Sequence, residues 1–280
     1  MSQGGPLVTA DWLIENIGAD AVKVIDATWV PGFLSGRKTG REEYDEGHIP
    51  GAVFFDIDDI SDPASSLPHM MPDADAFANK LGQLGISNSD RIIAYDSNGF
   101  FASARAWWML RLMGHDTVLV LDGGKAAWQR AGGALEKEEP APTETTFIAK
   151  HNASLVKDLS EMHAISDTRS AAILDARAQG RFDGTAPEPR KDLPSGHIPN
   201  SYCVPAGSLL NPDSTMKTPE ALLEILQPYA DGPVVTTCGS GVSAAVISLA
   251  LAQIGQWDTA LYDGSWTEWA ASPDNPVERA

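Results

Sequence analysis

Residues Asp231 to Ala252 read DGPVVTTCGSGVSAAVISLALA. Val234, Val235, Thr236 and Thr237 form a short β-branched apolar run that suits a buried parallel strand. Ala244, Ala245, Ile247, Ser248, Leu249 and Leu251 suit a helix packed on that strand. Cys238 therefore falls at the carboxyl end of a strand, and Cys238 to Ser243 form a small-residue loop leading into a helix. Gly239 and Gly241 let the backbone curl, so that successive N–H groups can converge on the sulfur while the helix adds its positive end. Such surroundings favour a thiolate and stabilise an anion bonded to it. Gly-Ser-Gly is also ordinary turn composition, and a Cys at a strand end is commonly an inert small hydrophobe. The loop by itself leaves both readings open.

A comparison inside the chain separates them. VIDATW at Val24 to Trp29 answers ILDARA at Ile173 to Ala178, and GHIPGAVFF from Gly47 answers GHIPNSYCV from Gly196. Asp26 and Asp175, like His48 and His197, are 149 residues apart. RIIAYDSNGFFASARAWWMLRLMG then answers PVVTTCGSGVSAAVISLALAQIG, with Asp96 facing Cys238 at a spacing of 142, and LDGGKAAW answers YDGSWTEW, with Trp128 facing Trp269 at 141. A period of that size is a whole domain rather than a solenoid repeat. It also agrees with the two domains expected of 280 residues at about 100 to 200 per domain. We expect a first copy over residues 1–135, a linker over 136–152, and a second copy over 153–280. The linker reading comes from EKEEPAPTETT at Glu136 to Thr146, which is charged, contains Pro and lacks apolar periodicity. At the front of the second copy, LVKDLSEMHAIS reads as an amphipathic helix, like VTADWLIENIG in the first.

Within each copy short apolar runs alternate with helical patterns. In the first these are Val22 to Ile25, Val53 to Phe55, Ile92 to Tyr95 and Val118 to Leu121, with helices near Ala74 to Leu84 and Ser103 to Met113. That alternation predicts an α/β fold, two tandem parallel sheets with helices on both faces and ligands at the carboxyl ends of the strands. The first copy keeps the strand and helix but carries Asp96 where the second carries Cys238. A carboxylate cannot perform soft-nucleophile chemistry. The asymmetry thus suits one active site, in the second copy.

Composition narrows the partners. With 38 acidic and 20 basic residues the formal charge is −18, which repels polyanions and makes nucleic acid an unsuitable partner. No run approaches eighteen uninterrupted apolar residues, and MSQGGPLVTADWLIENIG lacks the basic and apolar regions of a signal peptide. We expect a soluble, cytoplasmic chain with no membrane association. Cys203 and Cys238 are the two cysteines, too few for a disulfide framework or a structural zinc site.

The paired GHIP segments, the paired DGG and DGS segments ending in Trp, and the Cys loop confined to the second copy resemble the two-domain rhodanese-type sulfurtransferases. CGSGVS most resembles the 3-mercaptopyruvate sulfurtransferases, with Ser243 in place of the usual Thr. The resemblance covers essentially the whole chain. Thiosulfate-specific relatives carry basic residues directly after the Cys, whereas Gly239 and Ser240 are neutral. The dual-specificity phosphatases have a loop one residue longer closed by an Arg that holds phosphate oxygens. Ala244 stands at that position here, which disfavours phosphatase activity.

The resemblance implies transfer of sulfur from 3-mercaptopyruvate to Cys238, as a persulfide, and on to cyanide or to a thiol such as thioredoxin, with release of pyruvate and no metal or cofactor. Thiosulfate:cyanide transfer and a persulfide carrier without turnover are the alternatives. Arg181 and Arg190 match the family's substrate-binding arginines, with Gly239, Gly241, Val242 and Ser243 lining the loop. Read only as residues of GRFDGTAPEPR, the two arginines fit solvated surface charges equally well. The resemblance also points to a proton relay of Ser240, His69 and Asp58, the last two on the Pro-rich excursion FDIDDISDPASSLPHMMP. We read His48 and His197 as turn-fixing, Cys203 as core, and Trp107, Trp108, Trp128, Trp266 and Trp269 as packing. Arg41, opposite Arg190 in the repeat, is a relic of an older site or binds nothing.

Overall fold

A computed structural model describes residues 4–34 and 36–280. The chain divides into two compact units, each built on a five-stranded sheet in which every pairing is parallel.

The first unit runs β1 (Leu7–Val8), α1 (Ala10–Asn16), β2 (Val22–Asp26), α2 (Gly40–Glu46), β3 (Val53–Phe54), α3 (Ala74–Gln83), β4 (Arg91–Tyr95), α4 (Phe101–Leu112), β5 (Val118–Leu121) and α5 (Gly124–Arg130), in strand order β1-β5-β4-β2-β3. The second runs β6 (Val156–Lys157), α6 (Leu159–Thr168), β7 (Ala172–Asp175), α7 (Gln179–Phe182), β8 (Ser201–Cys203), α8 (Pro219–Leu226), β9 (Val234–Thr237), α9 (Ala244–Gln253), β10 (Ala260–Tyr262) and α10 (Ser265–Trp269), in order β6-β10-β9-β7-β8. The two orders are the same pattern. The β strands fall within a residue of the apolar runs read from sequence. The front of the second copy differs: Val156 and Lys157 pair with β10, and the helix begins only after Asp158, whose carboxylate caps it by accepting from Glu161 N–H at 2.8 Å.

One face of the first sheet packs Val24, Ile93, Tyr95 and Leu121 against Leu13 of α1 and Trp128 of α5. In the second, Ile173, Val235 and Tyr262 meet Met162 of α6 and Trp266 and Trp269 of α10. α4 and α9 pack on the strands they follow. The nine residues Ala244 to Ala252 of α9 are all buried, the mark of a helix covered on every side.

The segment expected to be a linker, 136–152, is laid along the first unit by backbone hydrogen bonds. Glu136 exchanges two of 2.9 Å with His48, Thr145 donates to Gly82 O at 3.0 Å, and Lys150 donates to Met113 O at 2.8 Å. Phe147 is buried edge-on to Phe77. At Gly114, with φ +82°, a Cβ would stand 2.8 Å from Lys150 O, so only glycine fits beneath this strap. Composition missed the packing because backbone groups, not a periodic apolar face, make the contacts. The repeat also extends further than read: as Glu136 pairs with His48, so Glu278 pairs with His197.

The units do not coincide with the two halves of the sequence. Residues 64–70 belong to the second unit, and residues 212–216 to the first.

Candidate active site

β9 ends at Thr237 and delivers Cys238, 2% exposed, into the loop that precedes α9. The loop's outer carbonyls are taken up by α10: Trp266 N–H donates to Cys238 O at 3.0 Å, and Thr267 donates to Gly239 O from its N–H at 2.9 Å and its hydroxyl at 2.6 Å. Gly241 turns the chain with φ +75°. With those carbonyls bound behind the loop, the N–H groups of Gly239, Ser240, Val242 and Ser243 make no hydrogen bond among the described residues. They are donors held at the mouth of a helix.

Ser265 supports Cys238 from below. Its hydroxyl accepts from Cys238 N–H at 3.2 Å and donates to Tyr262 O at 2.8 Å. Ser265 has φ +50°, a left-handed conformation that costs a non-glycine residue energy and tends to be kept where function over-determines it.

Arg181, on α7, comes to the same place. A Cβ built on Gly239 would stand 3.1 Å from Arg181 Nη2 and 3.9 Å from Arg190 Nη1, so both guanidiniums border the residue after the cysteine. A side chain at 239 would have to displace them. Arg181 is fixed by Glu188, which accepts from its Nε at 3.1 Å and its Nη2 at 2.6 Å. Glu188 also accepts from Arg177 Nη1 at 2.9 Å. Arg177 is fully buried, paired with Asp175 at 2.6 Å and stacked on Trp266 with its guanidinium carbon 4.4 Å from the ring. Burial would lower the Arg177 pKa, but Asp175 and Glu188 outweigh it and raise it. Among the described residues no carboxylate lies within ion-pair distance of Arg190.

Ser240 is buried at the loop, and its hydroxyl makes no hydrogen bond among the described residues. His69 is buried, has φ +62°, and lies in the 64–70 segment that belongs to the second unit. Asp58 belongs to the first unit, where it accepts from Trp29 Nε1 at 2.8 Å. The structure therefore assembles Cys238, Ser240, Arg181, Arg190 and the loop glycines within one unit.

The histidines and tryptophans read as structural behave so, whereas Cys203, expected in the core, is only half-buried at the sheet edge. His48 and His197 stack on Tyr44 and Phe182 at 3.9 and 3.8 Å and bond the carbonyls of the same residues through Nδ1. The five tryptophans are buried. Cys203 is half-buried in β8, and burial, reinforced by Asp175, pushes its thiol up to about 12. Arg41 pairs with Asp45 and Glu139.

Sequence reasoning missed Arg177, Glu188 and Ser265. For Arg177 and Ser265 the signal was present in the repeat, because Arg177 faces Thr28 and Ser265 faces Gly124.

Comparison with known proteins gives one family model, the rhodanese-like domain, over residues 9–131 and again over 157–272. The 3-mercaptopyruvate sulfurtransferase of Escherichia coli (strain K12) is 41% identical, with 97% of each chain covered. The thiosulfate sulfurtransferase of Rattus norvegicus is 39% identical, with 98% of this chain and 95% of that protein covered. Among solved structures, SseA from Escherichia coli, described as having the rhodanese fold of the 3-mercaptopyruvate enzymes, superposes with a TM-score of 0.85 at 38% identity, covering 94% of this chain and 99% of that one.

Proposed function

Since the chain belongs to the rhodanese-like domain family in both of its copies, we propose that it is a sulfurtransferase in which Cys238 carries sulfur from 3-mercaptopyruvate to a thiol or cyanide. In the first half-reaction the Cys238 thiolate attacks the sulfur of the donor. An S–S bond forms, the C–S bond breaks, and its electron pair leaves with carbon as the enolate of pyruvate. The enolate takes up a proton and the donor's thiol proton is released, leaving Cys238 as a persulfide anion. The free N–H groups of Gly239, Ser240, Val242 and Ser243 are placed to hold its outer sulfur. Gly241 contributes the turn. In the second half-reaction an acceptor thiolate or cyanide removes that sulfur and restores the thiolate. Both steps balance without metal or cofactor.

Arg181 and Arg190 bind the donor's carboxylate and ketone. Ser240 donates to the bound donor, and His69 and Asp58 are the groups assigned to protonating the enolate. The first copy is non-catalytic. Both cysteines are free thiols, which suits a reducing compartment, the cytoplasm, and thioredoxin as the acceptor.

The observation that carries the reading is the convergence of two guanidiniums beside Gly239, next to a cysteine under unbonded N–H groups. Thiosulfate is the second reading, favoured by a relative of equal similarity that is named for it. Steady-state turnover with each donor, in wild type and Cys238→Ser, decides. We expect mercaptopyruvate to be preferred and both activities to vanish in the variant. A preference for thiosulfate would reverse the donor assignment, and turnover by Cys238→Ser would sink the mechanism.

A further inference from the structure

The two arginines at the loop are not electrically alike. Arg181 is held by the buried Glu188 carboxylate in a two-pronged pair of 3.1 and 2.6 Å. The other face of that carboxylate is held by Arg177, which in turn is held by Asp175 and by Gly196 O at 2.8 Å. Two carboxylates and two guanidiniums thus cancel within this chain of contacts. Arg190, with no carboxylate in reach among the described residues, is left as the uncompensated positive charge beside Gly239. An Asp–Arg–Glu–Arg relay of this rigidity does more than steady a side chain: Arg181 retains its direction as a hydrogen-bond donor but loses its net charge to Glu188.

We propose that Glu188 is a positioning residue that sets donor selectivity, by trimming the charge of the anion site to a single positive unit suited to a monoanionic keto-acid thiol rather than a dianionic sulfur donor. The inference rests on the sulfurtransferase reading above and deepens it. A dianion gains about twice the Coulomb energy of a monoanion from each added positive charge, so a second uncompensated guanidinium favours thiosulfate disproportionately. The neutral residues Gly239 and Ser240 leave this balance to the arginines. Because Glu188 lies behind Arg181 rather than in the loop, its effect passes through Arg181 and not through contact with the donor.

The test is steady-state kcat/KM of the full chain with 3-mercaptopyruvate and with thiosulfate, cyanide being the acceptor. Glu188→Gln retains shape and removes the charge. The thiosulfate-to-mercaptopyruvate ratio is expected to rise at least about tenfold, mainly through the thiosulfate KM, and the rise should shrink with added salt. Equal losses with both donors, leaving the ratio unchanged and insensitive to salt, would make Glu188 a structural residue only and overturn the inference. Should Glu188→Gln fail to fold, Arg190→Gln provides the opposite displacement: the ratio must fall about tenfold, and an unchanged ratio overturns the inference equally. A wild type inactive with both donors would remove the sulfurtransferase reading itself. An active wild type whose ratio ignores both substitutions removes the selectivity role alone.

Discussion

The strand-loop-helix of the first copy and that of the second hold their anions in opposite ways. After β4, Asp96 turns its own carboxylate onto the loop, accepting from Asn98 N–H at 2.9 Å and from Ala102 and Ser103 N–H at 3.0 and 2.8 Å at the start of α4. After β9, Cys238 stands at the same place, and the N–H groups of Gly239, Ser240, Val242 and Ser243 make no hydrogen bond among the described residues. Even the carbonyl behind the nucleophile repeats: Lys125 N–H donates to Asp96 O at 3.0 Å as Trp266 N–H does to Cys238 O. The scaffold is one device. Filled by its own carboxylate it becomes a helix cap, and left open it can receive a charge that arrives with a substrate.

The comparison breaks most sharply at the nucleophile. Cys238→Asp should convert the second loop into the first, removing sulfur transfer by more than about a thousandfold while the melting temperature holds or rises, because the open donors gain an acceptor. Parallel activity and calorimetry check both halves, and a large fall in melting temperature would mean the two loops are not equivalent. The reciprocal change, Asp96→Ala, strips the first loop of its anion and should cost about 2 to 3 kcal/mol in denaturant unfolding, with kcat per folded molecule unaltered. A smaller effect follows from Ser265, whose place is taken by Gly124 in the first copy. Ser265→Gly relieves the left-handed backbone and deletes the acceptor of Cys238 N–H, so kcat should drop about three- to tenfold with stability nearly constant. Ser265→Ala, which keeps the strain without the hydroxyl, should be the less stable of the two.

The subtlest prediction concerns the two thiols. Cys203 is pushed up to about 12 by burial, above the usual thiol value. A group whose folded pKa is raised binds its proton more tightly when folded, so its contribution to stability is full below about pH 8.5. It is lost as pH climbs toward 12 and the unfolded thiol ionises first. At pH 8 alkylation of the native protein should therefore mark Cys238 and spare Cys203, which mass spectrometry of the labelled peptides resolves. Early labelling of Cys203 would show that its surroundings do not hold the thiol protonated.

The fold was legible because duplication supplied two readings of every element, and because β-branched runs such as Val234 to Thr237 leave little choice of structure. Cys238 was legible for the same reason, by contrast with Asp96. Arg181 and Arg190 entered through resemblance, since nothing in GRFDGTAPEPR announces that two guanidiniums will border a glycine. Glu188 looked like one charge among 38 acidic residues, and its role depends on burial between two arginines, a tertiary property with no local pattern. The packing of residues 136–152 was not legible because main-chain hydrogen bonds, which every sequence can make, hold the segment in place. Asp58 and His69 likewise entered through resemblance, and Asp58 also accepts a hydrogen bond from Trp29 Nε1.

The membership of residues 64–70 in the second unit and of 212–216 in the first bears on how the chain can be cut. A single cut after residue 152 would not separate the two units, because residues 64–70 of the second would leave with one fragment and residues 212–216 of the first with the other. A chain with such crossed segments is hard to shorten: neither copy can be cut away without taking part of the other along.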